Sequence, residues 1–240
     1  RVLFAIPWHG HTLVGTTDVA IPSVPVEPHA TKEEIEFILE TAGRYLAKPP
    51  RREDVLSTFA GVRPLVKGGS GRTAALSRDH LLRQEKSGLL TITGGKWTTY
   101  RSMAEGCVDR AAAIARLPRR PCATKELRLH GYQAPSGNDP LAVYGSDAAL
   151  VKELLQDSPL AAPLHPALPY CGAEVVWAVR AEMARTVIDV LARRTRALFL
   201  NTKAALAMAP RVAELMAQEL GRDERWQTEQ VRAVRELTRT

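Results

Sequence analysis

Residues 88–114 read GLLTITGGKWTTYRSMAEGCVDRAAAI and predict a strand, a glycine turn and a helix in succession. A strand that ends in Gly94-Gly95 lets the backbone approach a planar or anionic ligand closely. The helix behind it presents unpaired amides and the positive end of its dipole, and Lys96 adds a charge at the same place. This motif alone is consistent both with a ligand-binding turn and with a tight structural turn that carries a surface lysine.

The chain before this motif predicts strands and one helix. Residues 1–6 and 13–15 have the pattern of two strands joined by a polar turn. Thr31 and Glu34 form a capping box, which predicts a helix start. Apolar residues then recur at helical spacing, namely Ile35, Ile38, Leu39, Ala42, Tyr45 and Leu46. Two consecutive prolines at 49–50 end this helix.

Two short stretches hold candidate binding residues. Arg63 lies in Gly61-Val62-Arg63-Pro64-Leu65, where the proline favours extended backbone at the arginine. It is consistent with a structural ion pair or with a bidentate clamp on a phosphate or carboxylate. In Gly15-Thr16-Thr17-Asp18 the side chains either cap a turn or offer hydroxyl contacts to a polyol.

Residues 77–83 join a polar cluster to a predicted strand. Ser77-Arg78-Asp79-His80 contains the residue types of acid–base catalysis, but adjacent residues on a strand cannot face one another, which argues against a catalytic triad. Residues 80–83 and 88–93 predict a hairpin that leads into the glycine turn.

The composition changes after Pro121. Strand patterns disappear, and helices are predicted over residues 148–155, 174–198, 201–220 and 223–238. The longest of these carries an apolar stripe that comprises Val176, Val179, Met183, Val187, Val190 and Leu191. The sequence therefore predicts an α+β fold in two parts: residues 1–118 with partial sheets, and residues 119–240 with helices alone.

The composition excludes several classes of protein. With 45% hydrophobic and 25% charged residues the chain is typical of globular proteins rather than disordered ones. No apolar run approaches the roughly 20 residues of a membrane-spanning helix. Three widely spaced cysteines predict neither a disulfide framework nor a metal site. The net charge of +7 suits an anionic ligand, an acidic membrane surface or solubility alone.

Taken in order, the motifs resemble those of the FAD-dependent glycerol-3-phosphate dehydrogenases. The resemblance covers nearly the whole chain and is carried by Ile6-Pro7-Trp8, Gly15-Thr16-Thr17-Asp18, Gly61-Val62-Arg63-Pro64-Leu65, Ser77-Arg78-Asp79 and Gly94-Gly95-Lys96-Trp97-Thr98-Thr99-Tyr100-Arg101. Residues 189–196 and 212–216 are similar to that family's C-terminal helical domain.

The resemblance implies that the chain is the C-terminal portion of such an enzyme. The chain opens at Arg1 inside an apolar run, and it contains no GxGxxG fingerprint for the FAD pyrophosphate. Residues 1–118 would then be part of the substrate-binding sheet together with the last strand and helix of the FAD domain. Residues 119–240 would be the C-terminal helical cap domain.

The resemblance also implies roles for individual residues. The family segment that lies against the flavin ring is matched by Gly94, Gly95, Lys96 and Thr98. A positive group there would stabilise the charge that develops on the reduced flavin. Arg63 and Lys96 are expected to bind substrate and to act in catalysis, and Thr17 is expected to lie on the substrate side.

The implied reaction is hydride transfer from C2 of sn-glycerol 3-phosphate to FAD, which gives dihydroxyacetone phosphate. Quinone is the expected electron acceptor, and the residues do not separate it from oxygen. FAD is expected in the full-length parent, whereas the isolated chain is expected to be inactive and not to retain it. No DxDxDG calcium loop is present, which favours a bacterial type.

A cytoplasmic enzyme at the inner face of the plasma membrane is the expected location, as a peripheral protein and a possible homodimer. The alternative interpretation is a self-standing helical module for binding, dimerisation or membrane docking without catalysis. A nucleic-acid partner is not expected, because the basic cluster at residues 193–196 lacks flanking aromatic residues.

Overall fold

The computed structural model describes residues 3–63, 80–134 and 139–238 and shows helices combined with three two-stranded antiparallel sheets. The predicted α+β class is therefore confirmed. Contacts between Cα atoms divide the chain into a larger unit, residues 1–19, 23–61 and 130–240, and a smaller unit, residues 20–22 and 62–129. The boundaries between these units lie after residues 19, 22, 61 and 129. The boundary after residue 118, which rests on the sequence motifs, stays a prediction.

The larger unit begins with a hairpin and a helix. Strands β1 (Phe4–Trp8) and β2 (His11–Gly15) pair antiparallel. Helix α1 (Lys32–Gly43) has the predicted capping box, in which the Glu34 amide donates to the Thr31 hydroxyl at 3.3 Å and the Thr31 amide donates to the Glu34 carboxylate at 3.0 Å. Both predictions from the sequence are confirmed here.

Helix α1 ends earlier than its apolar pattern predicts. It stops at Gly43, and Tyr45 beyond it is 84% exposed. Gly43 is the point where the returning chain packs against the helix, because a Cβ there would lie 3.3 Å from the Cβ of Pro49. The prediction that Tyr45 and Leu46 continue the helical stripe is therefore wrong.

The smaller unit contains the strand, glycine turn and helix that residues 88–114 predict. Strands β3 (His80–Gln84) and β4 (Leu90–Gly94) form the predicted hairpin, with His80 opposite Gly94. A 3-10 turn, Trp97–Thr99, leads into helix α2 (Tyr100–Ile114). Two sequence features, Pro64-Leu65 and Ser77-Arg78-Asp79, lie outside the described residues.

The C-terminal part of the larger unit is mostly helical. Its elements in chain order are a 3-10 run (Pro140–Asp147), α3 (Ala148–Leu154), α4 (Ser158–Ala161), β5 (Pro163–His165), β6 (Leu168–Cys171), α5 (Gly172–Arg180), a π-helical turn (Asp189–Arg194), α6 (Ala197–Leu200), α7 (Thr202–Leu220) and α8 (Glu224–Leu237). The sequence predicts helices alone for residues 119–240, and the β5–β6 hairpin corrects that prediction. Three prolines in its nine residues, 163–171, conceal its strand pattern.

The long helix predicted over residues 174–198 is wrong, because the chain breaks after α5. Met183 has a left-handed φ of 58° and is 76% exposed, although the pattern placed it on the buried stripe. The Asp189 carboxylate then accepts from the backbone amides of Arg185 at 3.0 Å and Thr186 at 2.9 Å, which starts a new helical turn. Apolar spacing continues across the break, so periodicity alone does not reveal it.

The core of the larger unit lies among α5, the π-helical turn, α7 and α8. Its largest fully buried side chains are Leu191, Met208, Met216, Val175, Val187, Val190, Val212 and Val234. A buried carboxyl borders it, since Glu174 is only 5% exposed. The Tyr144 hydroxyl and the Cys171 amide each donate to this carboxylate at 2.9 Å. Burial raises the pKa of Glu174, and burial together with the Glu174 charge raises the pKa of Tyr144.

Two kinds of feature are absent from the described residues. No helix there has both the length and the apolar character needed to cross a bilayer. Nor does this part of the chain bring together three or more His, Cys, Asp or Glu side chains in a group that could hold a metal ion. Cys107 and Cys122 are half-buried and Cys171 is buried, each as a free thiol.

Candidate functional site

The glycine turn between β4 and α2 has a backbone that favours glycine at both positions. Gly94 and Gly95 have φ values of 77° and 80°, which residues with a Cβ rarely adopt. A Cβ on Gly95 would overlap the Met103 sulfur and would lie 3.3 Å from the Cβ of His80. One side of Gly95 is therefore filled by α2 and β3. The sequence patterns had not linked Met103 and His80 to this turn.

Lys96 follows the two glycines with extended backbone and an exposed side chain. Its carbonyl accepts from the amide and the hydroxyl of Thr99, each at 3.0 Å, which fixes the 3-10 turn. Among the described residues the ammonium group has no carboxylate within 4.0 Å. Thr98 is exposed in the same turn.

The start of α2 is also electropositive. Its N-cap residue, Thr99, makes no side-chain cap hydrogen bond, and the first turn contains no acidic residue. The partial positive charge of a helix N-terminus is thus not offset by a nearby side chain. The α2 N-terminus and the Lys96 ammonium together make the turn electropositive, which suits binding of an anionic or electron-rich group.

Two aromatic side chains stand at this turn. Trp97 is 85% exposed, and its ring stacks on that of Tyr100 with centroids 5.2 Å apart and an interplanar angle of 23°. Large exposed aromatic surfaces are typical of places where another molecule or chain segment binds. The sequence motif contained both residues, but their pattern assigned them no role, since stacking depends on side-chain direction.

A polar cluster fastens the chain beyond α2 to the start of that helix. The Arg101 guanidinium donates to the Glu105 carboxylate at 2.8 Å and to the Thr124 hydroxyl at 3.2 Å. The Cys122 sulfur lies 3.0 Å from the same hydroxyl, and hydrogen bonds from Thr124 lower the pKa of the thiol. The hydrogen bond to Glu105 raises the pKa of Arg101.

The remaining predicted site residues lie elsewhere in the chain. Arg63 is exposed in the smaller unit, at the edge of a described range. Thr17 belongs to the larger unit, where its hydroxyl donates to the Glu34 carboxylate at 2.5 Å and so contacts the capping box of α1. The structure thus brings Gly94, Gly95, Lys96 and Thr98 together in one turn, while the roles of Arg63 and Thr17 stay predictions.

Comparison with known protein families gives two matches. Residues 90–227 match the family described as the C-terminal domain of alpha-glycerophosphate oxidase. Residues 1–101 match the FAD dependent oxidoreductase family. The two matches overlap over residues 90–101, which contain the glycine turn.

Relatives with curated names are similar over the whole chain. The chain is 38% identical to the mitochondrial glycerol-3-phosphate dehydrogenase of Arabidopsis thaliana, over all of this chain and 43% of the plant protein. It is 36% identical to the human mitochondrial glycerol-3-phosphate dehydrogenase, over 99% of this chain and 36% of the human protein. The chain therefore spans less than half the length of these curated relatives.

A solved structure is similar in fold as well. It is the glycerol-3-phosphate dehydrogenase of Bacillus halodurans complexed with FAD, with a TM-score of 0.79 and 30% sequence identity. The alignment covers 98% of this chain and 50% of the Bacillus chain.

Proposed function

Because the chain belongs to the family of FAD-dependent glycerol-3-phosphate dehydrogenases, through the C-terminal domain that its residues 90–227 match, we propose that it supplies part of the active site of such an enzyme. The reaction would oxidise sn-glycerol 3-phosphate to dihydroxyacetone phosphate. The observation that carries the proposal is the electropositive glycine turn, which lies where the two family matches overlap.

The residues of the turn fit a flavin. The φ values of Gly94 and Gly95 favour glycine at both positions. The flat ring is proposed to approach the backbone at Gly94, because Met103 and His80 fill the Cβ side of Gly95. The Lys96 ammonium and the positive end of the α2 dipole offer positive charge to an electron-rich ring edge. FAD, when bound, supplies the acceptor for the hydride that leaves C2 of the substrate.

The chemistry of the substrate explains the other proposed residues. Oxidation at C2 removes a hydride from carbon and a proton from the hydroxyl, so that a carbonyl forms. The substrate phosphate carries the negative charge that a guanidinium binds in bidentate geometry, which is the role proposed for Arg63. The hydroxyl of Thr17 is proposed to lie on the substrate side, with Lys96 shared between substrate and flavin.

The proposal includes quinone as electron acceptor and a peripheral place at the inner, cytoplasmic face of the plasma membrane. The net charge of +7 supports contact with an anionic lipid surface. A bacterial type and a homodimer are parts of the same hypothesis.

A chimaera tests this function. The chain is joined to the half of the Bacillus halodurans protein that it does not match, so that a full-length enzyme results. We expect bound FAD in the visible spectrum and reduction of an artificial dye only when glycerol 3-phosphate is added. A folded chimaera that contains FAD but does not respond to glycerol 3-phosphate would contradict the proposed substrate. The 240-residue chain alone, as the control, is expected to show neither signal.

Lys96→Ala in this chimaera is expected to lower the flavin reduction potential, because a positive charge next to the ring stabilises the reduced form. A charge interaction of about 1–2 kcal/mol corresponds to about 20–40 mV for a two-electron couple. The potential is measured by equilibration with redox dyes. Lys86→Ala, in the exposed turn between β3 and β4, removes the same charge and should leave the potential unchanged. Equal shifts in the two variants would remove Lys96 from the flavin site.

A further inference from the structure

The segment that follows α2, residues 116–129, is strongly basic, and we call it the basic segment. Its cations are Arg116, Arg119, Arg120, Lys125 and Arg128, and its one acidic residue is Glu126. These 14 residues therefore carry a net charge of +4, from five positive and one negative side chains, which is more than half of the charge of the whole chain.

The positive charges of the basic segment are exposed and largely unneutralised. Among the described residues Arg116, Arg119, Arg120 and Lys125 have no carboxylate within 4.0 Å. Several arginines on the surface helices of the larger unit are paired instead, as Arg211 is with Glu214 at 2.7 Å and Arg225 with Glu229 at 3.2 Å. The basic segment therefore offers its charge to an external partner.

Large apolar side chains alternate with these cations. Leu117, Leu127 and Leu129 are 60%, 62% and 66% exposed. The segment has no helix or strand, and Pro118 and Pro121 prevent α2 from continuing through it. The chain is therefore spread out, so that cations and leucines are presented side by side on one stretch of backbone.

The middle of the basic segment is fixed to its own unit. Arg101 on α2 donates to the Thr124 hydroxyl at 3.2 Å and contacts the Cys122 sulfur at 3.8 Å. The exposed cations and leucines lie on both sides of this attachment. The basic segment is therefore a held surface rather than a loose tail.

The combination of charge and leucine identifies the partner. Proteins that bind single-stranded nucleic acids stack bases on aromatic side chains, and the basic segment contains no aromatic residue. A bilayer with anionic lipids attracts Lys and Arg to its headgroups and accepts apolar side chains at the boundary with the acyl chains. Leucines between cations match that layered arrangement.

We propose that the basic segment docks the smaller unit onto the surface of an anionic lipid bilayer. Arg116, Arg119, Arg120 and Lys125 would lie at the headgroups, with the three leucines inserted beneath them. The inference rests on the proposed function, because it names the surface by which an enzyme that passes electrons to a membrane quinone reaches its acceptor. It concerns lipid binding alone and is measured without flavin or substrate, so its failure is distinguishable from a failure of the proposed reaction.

Vesicle sedimentation with the 240-residue chain tests the charges. We expect binding to vesicles of two parts phosphatidylcholine and one part phosphatidylglycerol, and little binding to phosphatidylcholine alone. Each surface cation contributes about fivefold in affinity, so the triple variant Arg119→Gln, Arg120→Gln, Lys125→Gln should bind on the order of a hundredfold more weakly. The control is the ion-paired set Arg211→Gln, Arg225→Gln, Arg232→Gln, which changes the net charge equally. Equal losses in the two variants would overturn the proposal.

The leucines are tested separately at constant charge. The variant Leu117→Ser, Leu127→Ser, Leu129→Ser should bind anionic vesicles about tenfold more weakly, because apolar burial is lost. Leu89→Ser with Leu150→Ser, two exposed leucines elsewhere, is the control and should bind as the original chain does. Displacement by millimolar inorganic phosphate would show recognition of free phosphate instead. A nucleic-acid surface would be indicated if the chain bound duplex DNA as tightly as anionic vesicles and the leucine variant bound that DNA as the original chain does. Either result overturns the proposal.

Discussion

Gly145→Ala is expected to lower the free energy of unfolding by about 3–4 kcal/mol, because the new methyl group meets backbone rather than a side chain that can move. Gly145 has φ 56° and ψ −127°, which kinks the 3-10 run Pro140–Asp147. A Cβ there would fall on the Gly131 carbonyl oxygen and lie 2.8 Å from its carbon. That oxygen also accepts from the Ser146 amide at 3.1 Å, so moving it aside costs a hydrogen bond.

Gly221→Ala is the control for an alanine at positive φ without a collision, in the left-handed helical region at ψ 43°. Gly221 has a similar φ of 62°, but nothing lies within 4 Å of its Cβ position. Its alanine variant should be destabilised only by the strain of left-handed backbone, which costs about 1 kcal/mol. Urea unfolding followed by circular dichroism measures both variants. Losses of the same size would show that Gly131 does not obstruct position 145.

Glu174→Ala is expected to destabilise the larger unit by about 2–5 kcal/mol. It removes the acceptor for the Tyr144 hydroxyl and the Cys171 amide, and a buried donor left without a partner is costly. The space left by the side chain adds to the loss. Glu214→Ala on the surface of α7, whose side chain is 48% exposed in its pair with Arg211, should change stability by less than about 0.5 kcal/mol. Urea unfolding at neutral pH compares the two.

Glu174→Gln tests the charge rather than the hydrogen bonds. Because burial raises the pKa of Glu174, the folded state favours the protonated carboxyl. Its stabilising contribution is complete below the unfolded pKa, near the ordinary 4.5, and is lost as the pH rises through the higher folded value. Glutamine stays neutral. The free energy of unfolding of the variant should therefore increase relative to that of the original chain as the pH rises from 4 to 8.

Other groups near Glu174 titrate too. Burial also raises the pKa of Glu182, which leaves a residual slope of the same sign in both proteins. The difference between the two unfolding curves isolates Glu174. A difference that does not change between pH 4 and 8 would show that its carboxyl is not perturbed by the fold.

Local chemistry made part of the fold predictable. The capping box of α1 and the hairpin β3–β4 depend on residues within a few positions of one another, and the structure has both. The same is true of the glycine turn, where strand, glycines and helix are consecutive. The later break at Met183 was not predictable, because the apolar spacing continues past it and the Asp189 carboxylate that caps the new turn resembles any polar residue in a helix.

The candidate site was likewise predictable only where it depends on consecutive residues. The consecutive residues of the turn were predictable as a group, but the exposed stack of Trp97 on Tyr100 depends on side-chain directions that a sequence pattern does not contain. Thr17 illustrates a further limit. Its predicted place on the substrate side came from a resemblance of motifs, whereas its hydrogen bond to Glu34 depends on how β2 and α1 meet.

The sequence by itself determined the α+β class, the glycine turn before α2 and the likeness to FAD-dependent glycerol-3-phosphate dehydrogenases, because these depend on composition, spacing and the order of short motifs. Only the tertiary structure decided that Gly145 must be a glycine, that Glu174 is buried between Tyr144 and Cys171, and that the basic segment presents exposed cations beside exposed leucines. Each of these three features depends on whether a residue distant in sequence occupies the space beside it. Tertiary packing decides this, and local sequence patterns do not contain it.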